Sequence, residues 1–405
     1  MNTIMKNKYE TIDRVIEYGI YLYLFFMFLA KGEAIRNILI FGNFGLWLIV
    51  LRQRDNLYIL KSPVAKLLYI FLGTAVISVI FSIDPYYSLS AFKNQPLKCA
   101  LLFPVMATML NDEVKLQRVA YVCFFAMMLL VSAGYYSFIV GDTPYLRPLT
   151  TIAYAYYTRF AGYINTLLPI AFVLFMVCHR TGVKVLYGVV FIITFVALIL
   201  TTSRGGYIAF GGIALVWFLY LSRKKGYHLK KIGALLIALI LIIGAFAYVY
   251  SPDVRSRIDS WSTDFYTFNL RTELWDAVWH GFLQRPVAGW GYGGSIYHME
   301  EPYIDTPYTP PERGEHNMFL TVLFHQGLIG FIPFLLLIIT ATVTFWKAAY
   351  RCSGIRSYML VACASIFLGN YILHAQLESM FKLQFYAVVL GLGMAAKGIN
   401  EDSDN

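Results

Sequence analysis

The chain has 405 residues, of which 33 are Lys or Arg and 23 are Asp or Glu, for a net charge of +10. The set Ala, Val, Ile, Leu, Met, Phe, Trp, Tyr and Cys makes up 59% and charged residues 14%. Soluble domains average about 45–50% apolar, on nearly the same set, and about 25% charged, so an ordinary soluble enzyme is excluded. An aromatic share of 17% excludes a disordered chain.

A membrane helix needs about 20 mostly apolar residues. Twelve stretches are candidates: Val15–Ala30, Ala34–Leu51, Val64–Phe81, Pro96–Leu110, Val119–Val140, Ala161–Cys178, Val185–Leu200, Gly206–Leu221, Ile232–Tyr250, Leu328–Trp346, Tyr358–Leu373 and Phe385–Ala396. None alternates like a barrel strand. The sequence therefore predicts an all-α polytopic integral membrane protein with about twelve transmembrane helices. The basic start and first apolar run mimic a secretory signal, but no small-x-small pattern follows Ala30 and more spans come next. This reads as an uncleaved first helix. No internal repeat is evident, which counts against an inverted-repeat transporter. The five Cys (Cys99, Cys123, Cys178, Cys352, Cys363) are scattered, so neither a disulfide framework nor a zinc site is indicated.

Alternate loops differ in basic charge. One set, with both termini, holds 20 Lys and Arg, and the opposite short loops hold 8 (Lys31, Arg36, Lys93, Lys98, Arg147, Arg159, Arg204, Lys382). The positive-inside rule then puts both termini in the cytoplasm. The net +10 is a topology signal and not a nucleic-acid footprint.

Three units follow: 1–250 with spans one to nine, an outer segment 251–315, and 316–405 with the last three spans and a cytoplasmic tail. The outer segment is too long for a simple connector, which suggests a small functional subdomain carrying short helices. Asn269–Phe282 reads as an interfacial helix, with Leu270, Leu274, Val278 and Phe282 at helical spacing and Trp275 and Trp279 beside them. The glycine-rich run Pro286–Gly294 lacks the strand–helix setting of a dinucleotide site. It reads as a turn-rich loop whose Gly291 and Gly293 let a ligand approach the backbone. Tyr303–Pro311 carries three prolines and reads as an extended loop.

Three outer residues could do chemistry. Arg204 sits in the turn Thr201–Tyr207 between spans seven and eight, with two glycines beside it; the bland reading is an arginine snorkelling to the interface. Arg271 lies on the interfacial helix, where a solvated face is the bland reading. His316 lies where the outer segment re-enters the membrane. Far apart in the chain, all three fall at one interface by the loop count. Two guanidiniums can grip phosphate oxygens bidentately, and an imidazole titrating near neutrality suits a general base. A helix starting at His316 would favour the neutral form. His325, nine residues on, is about 180° round the helix and should not share a ligand with His316. No Asp-x-Asp occurs on the outer side, and the first outer loop has only Glu33, so no paired-carboxylate metal site is evident. The metalloprotease, nucleophile-elbow and P-loop motifs are missing.

His316-Asn317, nine residues, then Gly327-Leu-Ile-Gly330 resembles the His-[Asn/Ser/Gln]-x9-Gly-x-x-Gly pattern of bacterial O-antigen ligases. The Ser203-Arg204-Gly-Gly turn, the Arg271-x-x-Leu-Trp275 helix and the Pro286…Gly289-Trp-Gly-Tyr-Gly293 loop resemble further signatures of the O-antigen ligase/polymerase superfamily. Arg159-Phe-Ala-Gly162, with Asn165 and Pro169, is similar to another. The resemblance covers the whole topology. It implies a metal-independent, inverting glycosyltransferase of the bacterial inner membrane, without cofactor, working at the periplasmic face. The donor would be a glycan on undecaprenyl diphosphate and the acceptor the terminal sugar of lipid A–core oligosaccharide. His316 would be the base, Arg204 and Arg271 would steady the leaving diphosphate, and Asn317, Arg159, Tyr207, Trp275, Gly291 and Gly293 would line the substrates. An O-antigen polymerase or a protein O-oligosaccharyltransferase of the same superfamily is the nearest alternative; the short outer loop Gly141–Phe160 favours the ligase. A lipid-linked glycan flippase would need ionisable groups near the midplane, where His325 and Gln326 alone approach that description.

Overall fold

The computed structural model describes residues 3–29, 32–141, 145–150, 155–225, 249, 255–256, 259, 265–293, 316–376 and 382–399, with the side chains of 3–8, 225, 265–271, 273 and 376 outside that description. In chain order the helices are α1 (Thr3–Phe26), α2 (Glu33–Val50), α3 (Pro63–Ile80), α4 (Pro85–Phe92), α5 (Lys98–Met109), α6 (Glu113–Val140), α7 (Tyr157–Val177), α8 (Thr181–Leu200), α9 (Arg204–Lys225), α10 (Phe265–Gln284), α11 (Met318–Arg351), α12 (Gly354–Ile366) and α13 (Leu383–Gly398). Eight helices among the described residues are long and apolar enough to cross a membrane. Eleven of the twelve sequence spans fall on helices. The ninth, Ile232–Tyr250, lies outside the described residues except for Val249. Of the outer segment, Tyr303–Pro311 also lies outside them.

Local chemistry sets the helix starts. Ser62, Asp84 and Asp112 each accept a backbone N–H three residues on, and Pro63 and Pro85 take the first turn, where an amide would be wasted. The fourth span departs from expectation. The chain first forms α4, then a π-helical turn (Lys93–Leu97), then α5. Pro96 has no N–H to donate, so the ladder widens there. A second π-helical turn, Phe367–Leu373, continues α12 and leads into a 3₁₀ turn, His374–Gln376.

Contacts gather one set of helix ends at one face. Arg36 donates to the carbonyls of Phe26 (3.1 Å) and Leu29 (2.9 Å), capping α1 beside the start of α2. Lys98 at the start of α5 approaches Glu33 to 3.7 Å. Leu146 N–H reaches the last carbonyl of α8, Leu200, at 3.0 Å. The opposite face holds the other basic set: Arg118 pairs with Glu17 at 2.6 Å, Lys224 donates to the Ala349 carbonyl at 2.8 Å, and Arg356 to that of Ala396 at 3.3 Å.

One helix is broken. Residue 327 of α11 has φ 59° and ψ −161°, a region that glycine alone occupies readily. The break frees backbone groups that a membrane interior does not tolerate unpaired. The loop after α10 takes them up. Leu328 N–H donates to Pro286 O (2.8 Å) and Ile329 N–H to Val287 O (3.3 Å), while Trp290 N–H reaches Phe324 O (2.9 Å) and Gly291 N–H reaches His325 O (3.2 Å). A Cβ on Gly327 would sit 2.3 Å from Val287 O, and one on Gly289 2.5 Å from Phe324 O. Leu274 and Val278 of α10 pack with Trp290 and Phe324 in a small second core. Trp290 also donates to Gly281 O at 2.8 Å. Gly327→Ala should destabilise the protein by about 1–3 kcal/mol through backbone strain alone, and eject the loop as well. A lower melting temperature and earlier proteolysis near residue 290 are the expected results in detergent; unchanged melting would contradict this account.

Candidate active site

Arg204 is the first residue of α9. Ser203, just before it, accepts the Gly206 N–H on its hydroxyl at 3.1 Å and the Tyr207 N–H on its carbonyl at 3.0 Å, so the turn is capped. Thr202 holds a positive φ of 55°, uncommon for a β-branched residue. Arg204 itself is half-buried, with its Nε shielded from solvent. Two glycines, Gly205 and Gly206, follow Arg204. Gly206 packs on protein: a Cβ there would lie 2.7 Å from that of Ala161 on α7, and its carbonyl accepts from Asn165 at 2.9 Å. Tyr207, expected at the substrate, donates its hydroxyl to the Ile199 carbonyl across the α8–α9 turn.

His316 stands immediately before the helix cap and not at the helix start. It has φ 49°, a left-handed conformation that His tolerates better than most residues but that still costs energy. Its ring is half-buried, with Nδ1 shielded from solvent. Asn317 is the cap: its side-chain oxygen accepts from Phe319 N–H (3.0 Å) and Leu320 N–H (3.2 Å). That engagement gives Asn317 a structural task the sequence motif did not reveal. His325 clamps the loop instead of facing His316. Its carbonyl accepts from Ser78 and Gly291, and its Nδ1 from Gly293 N–H at 3.3 Å.

Arg271 lies on α10 at helical spacing from Leu274 and Val278, the stripe that packs on Leu320 and Phe324 of α11; its side chain is outside the described residues. Trp275, one turn on, is half-buried. Gly291 and Gly293 are filled by protein: Cβ atoms there would meet the Ser82 hydroxyl at 2.1 Å and the Ala91 Cβ at 2.5 Å. Close packing on the α3–α4 corner therefore explains these glycines without a ligand.

A continuous set of contacts puts Arg204 and His316 at the same face. Gly206 abuts Ala161 near the start of α7. Arg159, in the first turn of α7, acts electrostatically on Lys382, just before α13. In α13, Tyr386 donates its hydroxyl to the Met318 sulfur, two residues after His316. The 3₁₀ turn His374–Gln376 packs against both α9 and α11.

The sequence reading missed a group here. Lys382 is close to Arg159 and Arg36, with Glu33 opposing them. Burial, then the two guanidiniums, push the Lys382 ammonium down to about 8, against a weaker pull from Glu33. Three cations from loops remote in sequence thus repel one another at the face that Arg204 and His316 share. An anion would relieve that repulsion. The only sequence signal was that Arg36, Arg159 and Lys382 all fall among the eight cations of the short outer loops. Among the described residues, no three His, Cys, Asp or Glu side chains assemble into a metal-holding group.

The model of the family described as O-antigen ligase matches residues 189–335, a range that contains Arg204, Arg271, His316, Gly327 and Gly330. Arg36, Arg159 and Lys382 lie outside it. A protein of Salmonella typhimurium (strain LT2) named O-antigen ligase is 23% identical over 317 residues, covering 75% of this chain and 76% of that protein. An uncharacterized protein of Haemophilus influenzae (strain Rd) is 23% identical over 345 residues, covering 80% and 83%. The chain is thus similar to O-antigen ligases over the matched segment, and to the Salmonella protein over three quarters of its length.

Proposed function

We propose that the protein is an inner-membrane glycosyltransferase that moves O-antigen glycan from undecaprenyl diphosphate to the terminal sugar of lipid A–core oligosaccharide at the periplasmic face. The observation that carries this reading is the pair of helix starts at one face, one opened by Arg204 and the other preceded by a His316 held in a strained conformation. Strain of that kind persists where the surroundings enforce it, and it clusters at functional sites.

In this reading the His316 imidazole takes the proton of an acceptor hydroxyl. The freed oxygen attacks the anomeric carbon of the donor from the side opposite the diphosphate. The bond from that carbon to the diphosphate oxygen breaks, undecaprenyl diphosphate leaves, and the anomeric configuration inverts. Arg204 and Arg271 steady the charge growing on the leaving group, which preorganised donors do at no reorganisation cost. Arg159, Arg36 and Lys382 form a standing cationic patch that holds the diphosphate before and after the step. No metal takes part.

His316→Ala should lower transfer about a hundredfold or more with protein level and melting unchanged, measured on purified protein with defined carrier-linked glycan and core lipopolysaccharide. Full activity would remove His316 as the base. Modified core lipid is the expected product; elongation of the carrier-linked chain would point to a polymerase. Arg204→Lys should cost about tenfold or more, because the fork of donors becomes a point charge. Lys382 gives a pH test. It must be protonated to meet an anion, and without ligand it titrates at about 8. Affinity for undecaprenyl diphosphate should therefore fall as pH rises from about one unit below that value to about one unit above it. Lys382→Gln should bind more weakly at the lower pH and flatten the profile; a profile unaltered by that change would take Lys382 out of the site.

A further inference from the structure

His374 was not part of the sequence reading. It follows the π-helical turn 367–373 and is fully buried. π turns insert an extra residue into a helix and recur at functional sites. A hydrogen-bonded relay fixes the ring. The Asn370 amide nitrogen donates to Gly162 O at 3.1 Å and to the Thr166 hydroxyl at 2.7 Å. With both of its donors used, Asn370 presents its oxygen to His374 Nδ1 at 3.0 Å. Nδ1 must therefore carry the proton, and Nε2, across the ring, is a bare lone pair. Among the described residues it has no hydrogen-bond partner. Two more buried atoms in these elements, Asn165 Oδ1 and the Tyr371 hydroxyl, are also without a partner among the described residues. Proteins leave few such atoms unpaired, so three in adjoining elements mark a place built for polar company. The turn that carries His374 packs against α9, opened by Arg204, and α11, preceded by His316. Tyr371 stacks on Tyr386 with ring centroids 4.0 Å apart, and Tyr386 in turn meets Met318.

We propose that His374 is a substrate-binding residue whose Nε2 accepts a hydrogen bond from a hydroxyl of the donor glycan. This rests on the glycosyltransferase reading above. The chemistry excludes the diphosphate as the partner, because a lone pair repels phosphate oxygens; those need the donors supplied by Arg36, Arg159 and Lys382. A sugar offers hydroxyl donors next to the anion. The substrate thus meets a cationic patch for its charged part and a neutral acceptor for its sugar. Full burial of His374 means the bond forms inside the protein and not at its surface.

The test compares two probes, undecaprenyl diphosphate carrying a short glycan and bare undecaprenyl diphosphate. His374→Asn keeps the donor to Asn370 and removes the Nε2 acceptor. It should weaken binding of the glycan-carrying lipid about tenfold, the worth of one neutral hydrogen bond, and leave the bare lipid unchanged. His374→Gln, which returns an acceptor near the Nε2 position, should recover part of the loss. Equal losses for both lipids mean a structural role only and overturn the proposal, as does no loss for either. Nitrogen-15 spectra of histidine-labelled wild-type protein give a readout that does not need a stable variant: the His374 Nε2 resonance should move with the glycan-carrying lipid alone. No movement, or the same movement with both lipids as for a trapped water, overturns the proposal. Transfer to core lipopolysaccharide, assayed on the same preparation, separates the two ideas. Glycan-selective binding without transfer would defeat the ligase reading and leave the His374 assignment standing.

Discussion

Four backbone hydrogen bonds join the loop 286–293 to the break in α11, and the site depends on them. A broken helix in a low-dielectric interior must find partners for its freed amides and carbonyls. Here those partners come from the segment just after α10. The same bonds that satisfy the break therefore couple the helix of Arg271 to the helix that follows His316. Trp290 reinforces the joint by stacking on Phe324 and donating to Gly281. The nine-residue spacing from Asn317 to Gly327 acquires a physical meaning from this: it is the length of the half-helix between a cap and a break.

Electrostatics divides the molecule. On one face, charges are spent on capping and pairing: Lys224 and Arg356 end helices, and Arg118 meets Glu17. On the other face, Arg159 and Lys382 add to one another's repulsion, with Arg36 beside them and Glu33 as the counter-charge. Arg36 caps α1, but that task gives no reason to bring Arg159 and Lys382 beside it, since each cation raises the cost of the next. A bound dianion removes that cost. The case for an anion at this face therefore rests on the group of cations and not on any one arginine.

The spans were legible in the sequence because length and apolarity are local properties. Eleven apolar stretches fall on helices, and the interfacial helix, expected over Asn269–Phe282, runs Phe265–Gln284. Helix register and breaks were less legible. Pro96 signalled an interruption, but a π turn needs the neighbouring α4 to be seen as well. The glycines were ambiguous for a general reason: a missing Cβ permits close approach without saying what approaches. Gly291, Gly293 and Gly206 meet protein. Asn317 was legible as part of a motif and illegible as a cap, since both readings use the same residue at the same place. Lys382 and His374 stayed hidden because their significance lies in neighbours more than two hundred positions away, Arg159 for one and Thr166, through Asn370, for the other.

The two histidines near the face differ in a way that bears on their tasks. His316 is half-buried, strained in its backbone and placed one residue outside a helix cap. His374 is fully buried, and the Asn370 relay fixes its tautomer. Burial pushes its pKa down to about 4, so near neutrality it carries no charge and cannot hold a proton taken from substrate. A base must accept a proton and give it up again, which needs a ring that can bear charge and reach solvent. Of the two rings, only the half-buried His316 is partly open to solvent. The neutral, immobile His374 suits recognition, where a fixed lone pair discriminates between a hydroxyl and a phosphate oxygen.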